Sequence, residues 1–484
     1  MSTSKLLFRP SDGWVGDVIP FFAEGEFHVF YLWDDRDARG AWRGLDWAHL
    51  RTTDFMSYDE LPLAVPRGGK GDLDLICGTG SVATAPDGRH VIYYAGINPW
   101  NGERGEPDQV VLRTFSDDLV HFEKDSGFVL RADERWYERN DWRDPYLYQD
   151  AEGVWQMLMC ARAEGGPPDR RGTFGLATSI DMETWTVQPP VLTPGTTNAP
   201  ECPEVWEDGG DAYLIYASYS DRFATRYRRA PSMDGPWSVP IDDALEAPDV
   251  YAMKSASDGD RRYLMGWLAT RSGERDAGHR QWGGDLLVHE LLRRPDGELG
   301  VGPVDALIES FETSPATVTP VYGEWAVDGE VVTGSGEGLA WASLGAMGDT
   351  CLLDVTVDLE ADAEEVAVVL RADEGLEAGY YLRLEPEHDR FVFDRRPHHI
   401  SIPFDADTDR AYVDAPDHEI ERPLRPVDGK VRVRVIADGS AVVAYVNDVA
   451  LSTRGYDLSG GVWGLVVAGG SARITDARTG RIRG

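Results

Sequence analysis

A glycine turn followed by a run of β-branched and aromatic residues recurs five times before residue 270. The first copy is Gly25-Glu26-Phe27-His28-Val29-Phe30-Tyr31, and the others occupy 88–94, 153–159, 210–216 and 259–265. A polar turn leading to an aromatic residue follows at similar distances. It reads Thr53-Asp54-Phe55-Met56-Ser57-Tyr58, then Ser116-Asp117-Asp118-Leu119-Val120-His121-Phe122, then Ser179-Ile180-Asp181-Met182-Glu183-Thr184-Trp185, then Ser232-Met233-Asp234-Gly235-Pro236-Trp237. Helical periodicity is scarce over this stretch. A period of roughly 50 to 65 residues, all strand and turn, is what a four-stranded propeller blade requires. Five copies predict a five-bladed β-propeller over residues 1–303.

The repeats also serve as a ruler. In a propeller the strand before the first turn is innermost and lines the central channel. Counting back eight or nine residues from each turn glycine gives Asp17, Thr79, Asp144, Glu201 and Val250 or Tyr251. Three of these five positions carry carboxylates. Asp17 lies in an otherwise apolar run, where a buried carboxylate is costly unless it is paired or used. Acids pointed at one axis by a rigid scaffold are what glycoside cleavage needs. One protonates the leaving oxygen, and another attacks or stabilises the sugar cation.

Local context refines this. Arg143 stands beside Asp144, where a guanidinium keeps a carboxylate ionised and donates to hydroxyls. Glu201 sits in the rigid Pro200-Glu201-Cys202-Pro203 segment. Burial next to another carboxylate would raise its pKa and suit it to act as a general acid. Glu204 is the competing acid, expected to point away along the strand.

The formal net charge is −37, from 84 acidic against 47 basic residues. That excludes nucleic acid and anionic membrane as partners, since both require a cationic face, and fits a small neutral substrate. The start of the chain has too short an apolar stretch for a leader peptide, and no run approaches a membrane span. The four cysteines, Cys77, Cys160, Cys202 and Cys351, show no paired spacing for zinc or redox chemistry. A cytoplasmic protein with free thiols is expected.

These residues resemble the signatures of glycoside hydrolase family 32, the invertase, inulinase and levanase group. The family's W-M-N-D-P-N-G is similar to Trp14-Val15-Gly16-Asp17-Val18-Ile19-Pro20, its R-D-P to Arg143-Asp144-Pro145, and its E-C-P to Glu201-Cys202-Pro203. Trp47-Ala48-His49, Gly78-Thr79-Gly80-Ser81, Asp249-Val250-Tyr251-Ala252 and Gln281-Trp282-Gly283 match further short motifs. The resemblance implies that Asp17 is the nucleophile, Glu201 the acid/base and Asp144 the transition-state stabiliser. It implies that Arg143, Trp47, Ser81, Tyr251 and Trp282 bind substrate. It also implies a retaining mechanism, with the nucleophile and acid carboxyls about 5 to 5.5 Å apart, and no need of a metal or organic cofactor. The chain departs from the pattern at Gly16 for the family's Asn, at Val18-Ile19-Pro20 for its P-N-G, and at Leu32 for a Gln. Those losses would remove donors and enlarge or dry that side of the pocket.

The repeats stop near residues 303–318, where Asp305-Ala306-Leu307-Ile308-Glu309-Ser310-Phe311 reads as a short linker helix. Alternating strands then return, as in Cys351-Leu352-Leu353-Asp354-Val355-Thr356-Val357, and predict a β-sandwich over 318–484. The expectation is a glycosidase releasing terminal β-fructofuranosyl or related furanosyl units from small oligosaccharides. A fructosyl transferase using the same site and a non-catalytic sugar-binding protein are the alternatives. The sequence is silent on oligomeric state.

Overall fold

The computed structural model describes residues 6–35, 44–359, 362–373, 375–397, 404–405, 410–411 and 419–483. The leader expectation rests on the first residues of the chain, and 1–5 lie outside the described set. The chain divides into two units. One comprises Phe8–Ala269 and Trp282–Leu299, the other Met1–Leu7, Thr270–Gln281 and Gly300–Gly484.

In the first unit the five repeats fold as antiparallel meanders. The first is β1 (Trp14–Ala23), β2 (Glu26–Asp34), β3 (Asp46–Thr52) and β4 (Asp59–Val65). The second is β5 (Ile76–Thr84), β6 (His90–Ile97), β7 (Gln109–Ser116) and β8 (Glu123–Lys124). The third is β9 (Tyr137–Gln149), β10 (Trp155–Ala163), β11 (Gly172–Ser179) and β12 (Thr186–Leu192). The fourth is β13 (Glu201–Asp208), β14 (Asp211–Ser218) and β15 (Ala224–Ala230). The fifth is β16 (Val250–Ser257), β17 (Arg262–Arg271) and β18 (Arg280–Arg293).

The recurring glycine has one cause. Gly25, Gly88, Gly153, Gly210 and Gly259 all adopt positive φ, between 79° and 101°, in the hairpin joining first to second strand. A side chain would strain that turn. The recurring polar turn has another. Thr52, Ser116 and Ser179 each accept a backbone N–H through the side-chain hydroxyl. Asp54, Asp118 and Asp181 each accept two more. The residue between these donors turns back into the core at positive φ: Phe55, Leu119 or Met182, each buried. Side-chain acceptors of this kind stand in for a backbone turn.

The first strands touch in the order β1, β5, β9, β13, β16 and back to β1. They form a closed ring from which the meanders radiate, which is the propeller arrangement. β18 pairs with β1 at Gly284 opposite Val15, so the last meander and the first share one sheet. Aromatic and aliphatic side chains fill the gaps between neighbouring meanders. Tyr93, Tyr137, Trp142, Met157 and Met159 form one such layer, and Phe30, Trp47, Ile92 and Tyr94 another.

The second unit is a β-sandwich. Its long strand Val462–Ile482 pairs with Val331–Ala346, Thr350–Asp358, Glu365–Ala372 and Phe311–Pro315 in turn. The short helix appears at Asp305–Glu309, the one α-helix among the described residues.

Candidate active site

Each first strand carries one extra residue at the same place. The register with its partner slips between Val15 and Val18, Cys77 and Gly80, Arg143 and Tyr146, Glu201 and Glu204, and Tyr251 and Lys254. These are β-bulges, which re-aim side chains by kinking the strand. Asp144, Cys202 and Ala252 hold positive φ of 56°, 50° and 51° at the kink, and they occupy one register position.

That register corrects the ruler. Asp17 is equivalent to Thr79 and Pro145, Asp144 to Gly16 and Cys202, and Glu201 to Arg143 and Tyr251. The three acids occupy three successive positions of the same bulge, not one repeated position. Residue counts from the turn glycine cannot separate neighbours when hairpin lengths differ by one or two.

The bulges nonetheless bring the acids together. Asp17 Oδ2 accepts from the Thr79 hydroxyl at 3.0 Å, and Oδ1 accepts from Trp267 Nε1 at 3.0 Å. The Cys202 thiol lies 4.0 Å from Asp17 Oδ2. The Cys202 backbone N–H donates to Asp144 Oδ2 at 3.0 Å. Arg143 Nη2 donates to Glu201 Oε1 at 3.0 Å, its Nε lies 3.7 Å from Asp144, and its Nη1 donates to Asp141 at 2.9 Å. Tyr251 OH donates to Glu201 Oε2 at 2.7 Å and stacks on Phe223, centroids 4.2 Å apart.

The carboxyl that burial pushes up is that of Asp17, to about 7. The charges of Glu201 and Asp144 add to the rise, and the donors Trp267 and Thr79 oppose it. Burial also pushes Asp144 up, against the Arg143 guanidinium. Glu201 meets a guanidinium on one oxygen and a phenol on the other. Carboxyls set in such different surroundings can divide the work of nucleophile and acid.

The remaining expected residues separate into two groups. Tyr251 and Trp282 lie at the site, and Trp282 is 38% exposed. Trp47 and Ser81 do not reach it with their side chains. Trp47 is fully buried and donates to the Gly78 carbonyl at 2.9 Å, bracing the strand that presents Thr79. Ser81 accepts from Leu147 N–H at 3.1 Å and ties β5 to β9. Glu204 points away, buried against Ser255 N–H at 2.8 Å and Arg262 at 3.5 Å.

Trp267, which donates to Asp17, and Phe223, which stacks on Tyr251, are the contacts that the motifs missed. Trp267 stands opposite Tyr251 in the β16–β17 hairpin, so the cross-strand partner of a site residue was its signal. Losing the Trp267 hydrogen bond in Trp267→Phe should raise the Asp17 pKa further, since a donor stabilises the charged form. The acid limb of kcat/KM is then expected to move up by about one pH unit, with the alkaline limb unchanged.

The departures from the family motif have a steric account. A Cβ on Gly16 would stand 2.2 Å from Trp282 Cη2 and 2.8 Å from the Leu32 carbonyl oxygen. The indole, not an enlarged cavity, occupies the space beside Gly16. Val18, Ile19 and Leu32 are buried in the core behind it. Gly16→Asn is therefore expected to cost about 1–3 kcal/mol by overpacking, read as a lower urea midpoint. Trp282→Ala in the same chain should recover part of the loss.

Residues 8–294 match the model of the glycosyl hydrolases family 32 N-terminal domain, and residues 323–479 that of the family 32 C-terminal region. The chain belongs to glycoside hydrolase family 32. It is 26% identical to the sucrose-6-phosphate hydrolase of Escherichia coli over 340 residues, 65% of this chain and 68% of that one. It is 28% identical to an insoluble β-fructofuranosidase isoenzyme of Oryza sativa over 199 residues, 41% of this chain and 33% of that one. The exo-inulinase structure from Aspergillus awamori aligns over 99% of this chain and 98% of its own, with a TM-score of 0.74 at 16% identity, a likeness of fold. This family 32 chain is thus a glycoside hydrolase, nearly all strand, with the propeller and β-sandwich that its solved neighbours share. Among its described residues no helix is long and apolar enough to cross a membrane.

Proposed function

We propose that this family 32 chain is a retaining β-fructofuranosidase that releases terminal fructosyl units from small oligosaccharides. The observation that carries the reading is the convergence of Asp17, Asp144 and Glu201 on the Cys202 bulge. In this reading Asp17 attacks the anomeric carbon. Glu201 protonates the leaving oxygen and then activates water. Asp144 and Arg143 grip ring hydroxyls as the oxocarbenium charge develops. Trp282 lines the pocket beside the nucleophile. The names of the relatives, a sucrose-6-phosphate hydrolase and β-fructofuranosidases, support the fructosyl preference. The formal charge of −37 favours a neutral over a phosphorylated sugar.

The five meanders closing into one ring support counting five blades, with catalysis in 1–303 and the sandwich in 318–484. Four buried free thiols support a cytoplasmic place for the enzyme. The test is incubation with sucrose, sucrose 6-phosphate, short fructo-oligosaccharides and arabinofuranosides, followed by chromatography of the products. Release of fructose from the neutral fructosides is expected. No turnover of any furanoside would overturn the proposal.

A further inference from the structure

Lys254 is a buried charge that the chemistry above does not use. It follows the bulge of β16 and is 1% exposed. Its Nζ donates to the Pro203 carbonyl at 3.2 Å and stands 4.9 Å over the Tyr146 ring. No carboxylate oxygen of the described residues lies within ion-pair distance of it. An ammonium taken out of water without a paired anion is expensive, so its retention here calls for a compensating interaction.

The three strands around it, two in contact with its ammonium and one paired with its own, carry the other charged and titratable groups. β9 supplies Tyr146 and, two residues earlier, Asp144. β13 supplies Glu201, the Cys202 thiol and Glu204. β17 supplies Arg262, which lies against Glu204 at 3.5 Å. Glu204 is already satisfied by Ser255 and Arg262. Arg143 is divided among Asp141, Asp144 and Glu201. Asp144 receives the weakest share, a 3.7 Å approach, and one backbone N–H from Cys202. Lys254 holds the carbonyl of the very next residue, Pro203, on that same bulge.

We propose that Lys254 is a positioning residue of the active site: it clamps the Cys202–Pro203 bulge through the Pro203 carbonyl and places a second positive charge, after Arg143, behind the bulge whose Cys202 N–H holds Asp144. The electrostatics agree in direction, because Lys254 opposes the rise that burial imposes on both Asp144 and the Cys202 thiol. The role assigned to Asp144 rests on the proposed fructosidase reading, whereas the charge relation between Lys254 and Asp144 does not.

The test compares Lys254→Arg, Lys254→Gln and Lys254→Met in the full chain. Glutamine keeps a donor for the Pro203 carbonyl without the charge, and arginine keeps the charge. Carboxyl titration followed by carbon NMR on aspartate-labelled protein, with Asp144→Asn assigning the resonance, reads the charge effect without any substrate. Removing a nearby cation must raise a carboxyl pKa. The Asp144 resonance is expected to titrate about one pH unit higher in Lys254→Gln and Lys254→Met, a tenfold change in its ionisation constant, and to keep its native midpoint in Lys254→Arg. With sucrose, the acid limb of kcat/KM is expected to move in the same direction. A native Asp144 midpoint in Lys254→Gln would overturn the proposal and leave Lys254 as a packing residue. Failure to hydrolyse any furanoside, with the NMR shift present, would count against the fructosidase reading alone.

Discussion

Asp17→Asn is expected to lower kcat on sucrose by about 10⁴-fold or more, the scale seen when a covalent nucleophile is removed. Binding of the intact sugar should survive, because the amide oxygen can still accept from Trp267 while the amide NH2 donates to the Thr79 hydroxyl oxygen. Calorimetric titration with a non-hydrolysed sucrose complex of the variant would check this directly. A variant that keeps more than about a hundredth of native turnover would remove Asp17 from the nucleophile role. The same substitution has a second signature. The native carboxyl is pushed up to about 7, well above its value in an unfolded chain. Its protonated form therefore stabilises the fold, fully at low pH, and that contribution is lost as pH rises through about 7. An asparagine never pays this ionisation cost. The variant should thus melt higher than the native protein above pH 7, and the gap should close below about pH 4.

Glu201→Gln is expected to cost about 10²–10⁴ in kcat for sucrose, the range for loss of a general acid. The loss should shrink for β-fructofuranosyl fluoride, whose departing fluoride needs little protonation. Arg143 and Tyr251 both retain a partner on the glutamine, so unfolding by urea should be close to native. Equal losses on sucrose and on the fluoride would contradict the assignment of Glu201 as acid. If the fluoride instead forms the fructosyl-enzyme quickly and stalls, the second half of the reaction has lost its base, as a retaining scheme requires.

Much of the site was legible because its parts obey local rules. The turn glycines are forced by positive φ, and the Ser/Thr-x-Asp turns by their side-chain acceptors. Both therefore recur visibly and set the repeat. The motifs single out Asp17, Asp144, Glu201 and Tyr251, and the fold brings these four together. What the sequence hid are consequences of register. The ruler makes the acids equivalent because hairpin lengths that differ by one or two residues leave no mark in the repeat. A tryptophan in a matching motif looks the same in sequence whether its ring faces sugar or core, so the Trp47-Ala48-His49 motif does not foretell that Trp47 is fully buried. Here its Nε1 is spent on the Gly78 carbonyl. The loss of the family's asparagine at Gly16 read as lost volume, because the indole that takes the space comes from residue 282 and is adjacent only in the folded chain.

The repeated bulge has a consequence for how chemistry can be changed on this scaffold. Every meander presents two consecutive residues at its kink, from Gly16-Asp17 to Ala252-Met253, while the hairpin beyond keeps its pairing. Exchange within those pairs alters the lining of the mouth without renegotiating the surrounding sheet, much as bases are exchanged on an anvil. Only one of the pairs, Cys202-Pro203, is braced from behind by a buried ammonium. Exchange at Gly78-Thr79 would carry a charge effect of its own, because the Thr79 hydroxyl donates to Asp17 Oδ2.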